Sequence, residues 1–300
     1  MRLGFPLFSQ SFSYARAYYN LRRPARAEFM NSVLRSVFAV AWVVVPPAAG
    51  WFAATYSAFD LYGVSAAAYL CCATIFSLML LDPATRIGID SRAADGTAQP
   101  EAARRIELPM LIGIGGVFLI DTAVAMHVTT TPLAITNDLG GTLSDVGAYA
   151  SLKALLEIPC MLAWGLVARR APKWAIIAVA ALLYGLYMFL LNRAGSFTEL
   201  MWLQGLNALA ASALLSITIS YMQDAVRGRV GLSTSLLDII GVTSSMAAAA
   251  LFAMAAAGGS YLAVFLVGSA LSVGGAAIVF TAHGLVGRVP RRAVSPSQPG

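Results

Sequence analysis

Apolar residues run in blocks of about twenty, separated by polar, Pro or Gly positions, over 31–56, 61–81, 108–136, 143–168, 174–191, 197–222, 230–257 and 260–286. Each block is long enough to cross a hydrocarbon core of roughly 30 Å as a helix, and the short alternating stretches of a membrane barrel are missing. Because lipid offers backbone groups no partner, helices are the spanning element this pattern allows. The expected fold is an all-α membrane protein with about eight transmembrane helices. One long polar connector, 83–107, carries the breakers Asp95-Gly96 and Gln99-Pro100 and separates two spans from six.

Charge gives an independent check on this division. Of the 20 Lys and Arg residues, all but Arg35, Lys153 and Arg193 fall in one alternating set of connectors and tails; Arg193 lies in the opposite set, and Arg35 and Lys153 lie inside spans. Basic connectors stay on the cytoplasmic side, so both termini and the 83–107 connector are expected there, in a multi-pass protein of the inner (plasma) membrane. A composition of 59% hydrophobic and 11% charged residues has too few charges to solvate a globule, since soluble domains carry about 25%. The net charge of +6 is spread over short connectors and forms no basic soluble face, which argues against a nucleic-acid partner. Residues 1–30 show no signal-peptide core with a cleavage site. Cys71, Cys72 and Cys160 lie within apolar blocks, far in sequence from His127 and His283, so neither a disulfide nor a metal or other cofactor is expected.

Ionisable groups inside a span cost several kcal/mol unless they face a partner or a wet cavity, which makes each a candidate pathway residue. At about 1.5 Å per residue, Asp121, Lys153 and Asn207 fall roughly 10 to 14 Å below the outer surface, and Arg35, Glu157 and Asp238 roughly 10 to 18 Å above the inner one. Lys153 and Glu157, at i and i+4, share a helix face and can neutralise each other. Asp121 would be level with Lys153, and Arg35 with Glu157. His127 is expected as a satisfied residue near the outer interface rather than a proton relay. Trp51, Trp174 and Trp202 at span ends read as an aromatic belt, whereas Trp42 is mid-span, where it either packs or stacks on a sugar ring. Pro46, Pro47, Pro132 and Pro159 are expected to kink their helices, and Gly113, Gly116, Ala247, Ala250, Gly268 and Gly275 to mark close helix packing.

Two cytoplasmic span starts, RAEFMNSVLRS from Arg26 and RVGLSTSLLDI from Arg229, form a weak internal repeat that sets Arg35 against Asp238. Parallel repeats about an axis along the membrane normal build the major facilitator superfamily. FMNSVLRSVFAVAWVVVPP from Phe29, ITNDLG from Ile135, LEIP from Leu156 and NALAASALLSITISYMQDAVRGRVG from Asn207 resemble the sugar efflux transporters of that superfamily. GLVARRAPK, from Gly165 to Lys173, resembles the superfamily's basic loop motif without its aspartate.

The resemblance implies twelve helices, of which this chain would hold counterparts of the fifth to the twelfth. Residues 1–30 would be a cytoplasmic segment with the tail of a fourth helix, 31–82 two helices of an incomplete N-terminal half, 83–107 the central loop, 108–286 the six-helix C-terminal half and 287–300 a cytoplasmic tail. A cavity lined partly by the first four helices would be incomplete, so the chain is expected not to transport by itself. The function implied is secondary active efflux of sugars or similar small solutes, coupled to protons; drug efflux or an inactive partial protein are the alternatives. A membrane enzyme would need convergent nucleophiles or metal ligands, which the sequence lacks. Candidate pathway residues are Arg35, Trp42, Asp121, Lys153, Glu157, Asn207 and Asp238. Gly165, Arg169, Arg170, Lys173, Asp224, Arg227 and Arg229 are the candidates for the cytoplasmic gate or clamp.

Overall fold

The structure, a computed structural model, describes residues 14, 24–82, 108–225, 230–257 and 260–286. Its long helices are α1 (Pro24–Thr55), α2 (Ala58–Leu81), α3 (Leu108–Leu133), α4 (Leu143–Val167), α5 (Lys173–Arg193), α7 (Gln204–Ala225), α8 (Val230–Ala256) and α9 (Val264–Val286), with a short α6 (Phe197–Trp202) between α5 and α7. Among the described residues seven of these carry a stretch long and apolar enough to cross a membrane, and α1 adds a shorter apolar stretch over Val40–Thr55. The all-helical membrane fold read from the sequence is therefore the one observed.

The ends carry local signals that apolar periodicity does not contain. Thr142 and Asp145 form a capping box at the start of α4: the Thr142 amide donates to Asp145 Oδ2 at 2.7 Å and the Asp145 amide to Thr142 Oγ1 at 3.3 Å. Gly140, at φ 65°, makes the left-handed turn before it, a conformation that carries little penalty for glycine. Ser196 caps α6 and Leu203 ends it, so the expected span over 197–222 begins with a separate short helix. Residues 260–263 form a turn and the last helix starts at Val264. Beyond Pro132, which has no amide hydrogen to donate, α3 relaxes into a π-helical turn over Ala134–Asp138. Asp138 then ties that turn to the start of the last hairpin, with Oδ2 accepting from the Leu262 amide at 2.8 Å and from Ser260 Oγ at 3.2 Å.

Lateral packing builds a bundle in which α9 lies against α3 and α5, α7 against α4 and α5, and α8 against α3. Small residues set the approach at α3 and α9: a Cβ on Gly116 would sit 2.8 Å from the Gly275 carbonyl oxygen, and one on Gly275 would sit 2.7 Å from that of Gly116. On α8 the buried small residues are Ser244 and Ala248, while Ala247 is half-buried and Ala250 faces outward. Ser269 and Ser272 of α9 donate to the carbonyls of Gly185 and Ala181 on α5, each at 2.8 Å, which satisfies hydroxyls that lipid would leave bare.

Helix α1 packs on α4, and α2 packs on α1. The crossing is tight and antiparallel: a Cβ on Gly147 would meet the Pro46 carbonyl oxygen at 2.6 Å, one on Gly50 would meet the Leu143 carbonyl oxygen at 2.6 Å, and Ser151 Oγ donates to the Val43 carbonyl at 2.6 Å. Helix α2 is exposed over nearly its whole described surface, Phe59 at 83% and Leu81 at 70% among others. Apolar side chains exposed all round a helix match a lipid-facing surface.

Candidate functional site

Helix α4 carries Tyr149, Lys153 and Glu157 one turn apart, hence on a single face. Lys153 Nζ and Glu157 Oε1 form an ion pair at 3.2 Å, with side chains 28% and 16% exposed. The mutual neutralisation open to these two residues is the arrangement seen. Arg35 lies on the helical backbone of α1, but its side chain falls outside the described residues. The antiparallel crossing, which puts Val43 beside Ser151, brings position 35 of α1 level with the turn of α4 that holds Glu157.

One turn from Lys153 the face leads into a buried polar hub that sequence spacing did not reveal. His127 of α3 is 2% exposed, and its Nε2 lies 2.9 Å from the hydroxyls of both Tyr149 on α4 and Tyr187 on α5. Its Nδ1 takes a third hydroxyl, that of Tyr184 on α5, at 2.9 Å. Tyr149 and Tyr187 also hydrogen-bond each other. A neutral imidazole offers one donor and one acceptor while each hydroxyl supplies either role by rotation, so the cluster can close its hydrogen bonds without a charge. His127 is therefore satisfied as expected, by hydroxyls of two neighbouring helices in the interior of the bundle.

The remaining candidates are scattered. Asp121 Oδ2 accepts a hydrogen bond from Ser244 Oγ, linking α3 to α8. Asn207 is fully buried on α7; its amide donates to Gln204 Oε1 at 3.0 Å, and its Oδ1 has no hydrogen-bond partner among the described residues. Asp238 is exposed on α8, and Trp42 is 54% exposed with its ring edge-on to Phe38 at 6.2 Å. Trp51 and Trp202 are 59% and 83% exposed, whereas Trp174 is partly buried and stacks on His283 at 5.3 Å.

On the α4–α5 turn, Gly165 has open space beside it, Arg169 and Arg170 are exposed, and Lys173 Nζ donates to the Ser220 carbonyl at 3.3 Å. The side chain of Asp224 and the residues Arg227 and Arg229 fall outside the described residues. Among the described residues there is no group of His, Cys, Asp and Glu side chains that could hold a metal ion.

A bundle of long apolar helices with paired ionisable groups inside the spans defines a multi-pass helical membrane protein. No family model matches the chain. Curated relatives do: sugar efflux transporter B of Salmonella typhimurium is 32% identical over 76% of this chain and 56% of its own length. Sugar efflux transporter A of Dickeya chrysanthemi is 28% identical over 89% and 66%, and sugar efflux transporter A of Escherichia coli is 30% identical over 76% and 56%. Over these lengths the chain is similar to sugar efflux transporters, and the relatives support placing it with them. It spans between about half and two thirds of the length of these relatives.

Proposed function

We propose that the protein acts in secondary active efflux of sugars or similar small solutes, with protons moving the other way. What supports this is similarity to sugar efflux transporters along 76% or more of the chain, joined to an ion pair held within a membrane span. Glu157 is the carboxylate we assign to proton coupling. Lys153 holds its charge in the described state, and the Arg35 position of α1 comes level with it across the α1–α4 crossing. Exchange of Glu157 between cationic partners as helices rock would change the cost of its ionised form and so link protonation to movement.

Asp121, Asn207, Asp238 and Trp42 line or flank the solute pathway in this reading. The α4–α5 turn, Gly165 with Arg169, Arg170 and Lys173, acts with Asp224, Arg227 and Arg229 at the cytoplasmic gate. Residues 31–82 serve as part of one half and 108–286 as the other, joined through 83–107. The test is efflux of labelled sugars from preloaded cells, with and without a protonophore. Joined to counterparts of the first four helices, the chain should accelerate efflux, a protonophore should cut that acceleration several-fold, and Glu157→Gln should remove the response to the gradient; the 300-residue chain by itself should not accelerate efflux. A gradient response unchanged in Glu157→Gln would take the coupling role away from this residue.

The same reading fixes the topology. In a background with Cys71, Cys72 and Cys160 replaced by Ser, a cysteine at Ala171 should react only from the cytoplasmic side of the inner membrane, and cysteines at Gly141 and Gly195 only from the other. Both termini should be cytoplasmic. Labelling of Ala171 and Gly141 from one side would overturn the assignment.

A further inference from the structure

Where α5 ends and α7 begins, a cleft of about 300 Å³ opens at the level at which two apolar spans stop, Lys173–Arg193 on one side and Gln204–Met222 on the other. Its lining comes from one short, fully described stretch of chain: Leu190, Arg193, Ala194, Glu199, Trp202 and Leu203. The two charges in it are opposite in sign, yet among the described residues neither has an ion-pair partner. The Arg193 guanidinium lies 5.4 Å from the centre of the Phe189 ring, a contact with the π face that leaves the N–H donors of the guanidinium plane to other acceptors. Glu199 closes the start of α6: its Oε2 accepts from the Gly195 amide at 2.8 Å, and Oε1 is left to another donor. Cation and carboxylate are thus each held by the chain while each keeps open hydrogen-bonding capacity. Leading along α5 to Arg193, Leu182, Leu186 and Phe189 stand three or four residues apart and are exposed, whereas Ala181, Tyr184, Gly185 and Met188 between them are buried. An apolar stripe of this kind faces lipid.

We propose that this cleft holds the headgroup of a phospholipid that carries a primary ammonium, with its phosphate on Arg193, its ammonium on Glu199 and an acyl chain along the stripe of Leu182, Leu186 and Phe189. A zwitterion serves both side chains at once through charge-assisted hydrogen bonds, whereas a simple anion would pair with Arg193 and face a like charge at Glu199. A primary ammonium brings three N–H donors to the open carboxylate oxygen and a quaternary choline brings none, so Glu199 favours ethanolamine over choline headgroups. Trp202, 83% exposed beside the two charges, supplies the amphipathic ring that suits a headgroup level. A sugar could reach the same polar groups, but the continuation into an exposed apolar stripe at the end of a span calls for a ligand with a hydrocarbon tail. The proposal requires only that the helices span the membrane and does not depend on what the protein transports.

The experiment uses the purified, delipidated full chain, titrated with phosphatidylethanolamine or phosphatidylcholine of identical acyl chains, with retained lipid counted by native mass spectrometry. Phosphatidylethanolamine should be retained at about tenfold lower concentration than phosphatidylcholine, the scale of one charge-assisted hydrogen bond. Glu199→Gln, which keeps an acceptor for the Gly195 amide, should erase that preference. Arg193→Gln should weaken retention of both lipids several-fold and alike, because both carry the phosphate, and Arg170→Gln, at the other end of α5, should change neither. Equal retention of the two lipids by the unaltered protein, or tighter retention of phosphatidylcholine, would overturn the proposal without reference to any variant. So would a preference that survives Glu199→Gln, or retention untouched by Arg193→Gln. Displacement of the lipid by millimolar phosphoethanolamine would move the site to a soluble zwitterion and overturn the lipid assignment.

Discussion

Replacing His127 by Leu should lower the stability of the protein by about 3 kcal/mol or more, since buried hydroxyls deprived of a partner cost about 1 to 3 kcal/mol each. Tyr149, Tyr184 and Tyr187 all lose the ring that now bonds them, and Leu returns no hydrogen bond. Tyr149 and Tyr187 still have each other, which is why the expected loss falls short of three full penalties. Tyr187→Phe alone should cost less, and the double variant His127→Leu/Tyr187→Phe less than the sum of the two, as expected for side chains in one network. Thermal unfolding in detergent, followed by the loss of monodisperse protein, measures all three. A His127→Leu protein that melts with the unaltered one would mean that the hub does not hold α3, α4 and α5 together.

Gly147→Leu should separate α1 from α4. A Cβ at this position meets backbone at 2.6 and 2.9 Å, the Pro46 carbonyl oxygen and the Pro47 Cα, and neither can swing aside as a side-chain tip would. Overpacking costs about 1 to 3 kcal/mol where neighbours yield, so a contact against rigid proline backbone belongs at the upper end or beyond. The crossing also carries the Ser151 bond to the Val43 carbonyl, which would be lost with it. In a background without native cysteines, residues 43 and 151 changed to Cys should join efficiently through a short bifunctional reagent. Gly147→Leu should cut that yield several-fold, and Gly165→Leu, where the space is open, should not.

The number of long helices was legible in the sequence because it follows from run length. Which way each helix faces was not. These helices are apolar nearly all round, so their periodicity does not mark an inward side, and burial depends on neighbours distant in sequence. His127 was placed by its depth along the span, yet its environment is set by Tyr149, Tyr184 and Tyr187 on two other helices. Lys153 and Glu157 were readable because an i, i+4 pair is local. The Gly147 crossing was hidden for the opposite reason, since an isolated glycine in an apolar run looks the same whether it faces lipid or another backbone. The break at Leu203 escaped because apolar residues continue through it, while the signals that start and stop α6 are the Ser196 cap and the turn itself.

Counterflow in proteoliposomes tests the central claim most directly, because exchange of a labelled sugar against an unlabelled one needs the translocation pathway but no ion gradient. Liposomes containing the chain joined to counterparts of the first four helices and preloaded with an unlabelled sugar should accumulate the labelled form transiently, with saturation by that sugar. Uptake indistinguishable from protein-free liposomes for every monosaccharide and disaccharide tested would contradict the assignment of sugar efflux.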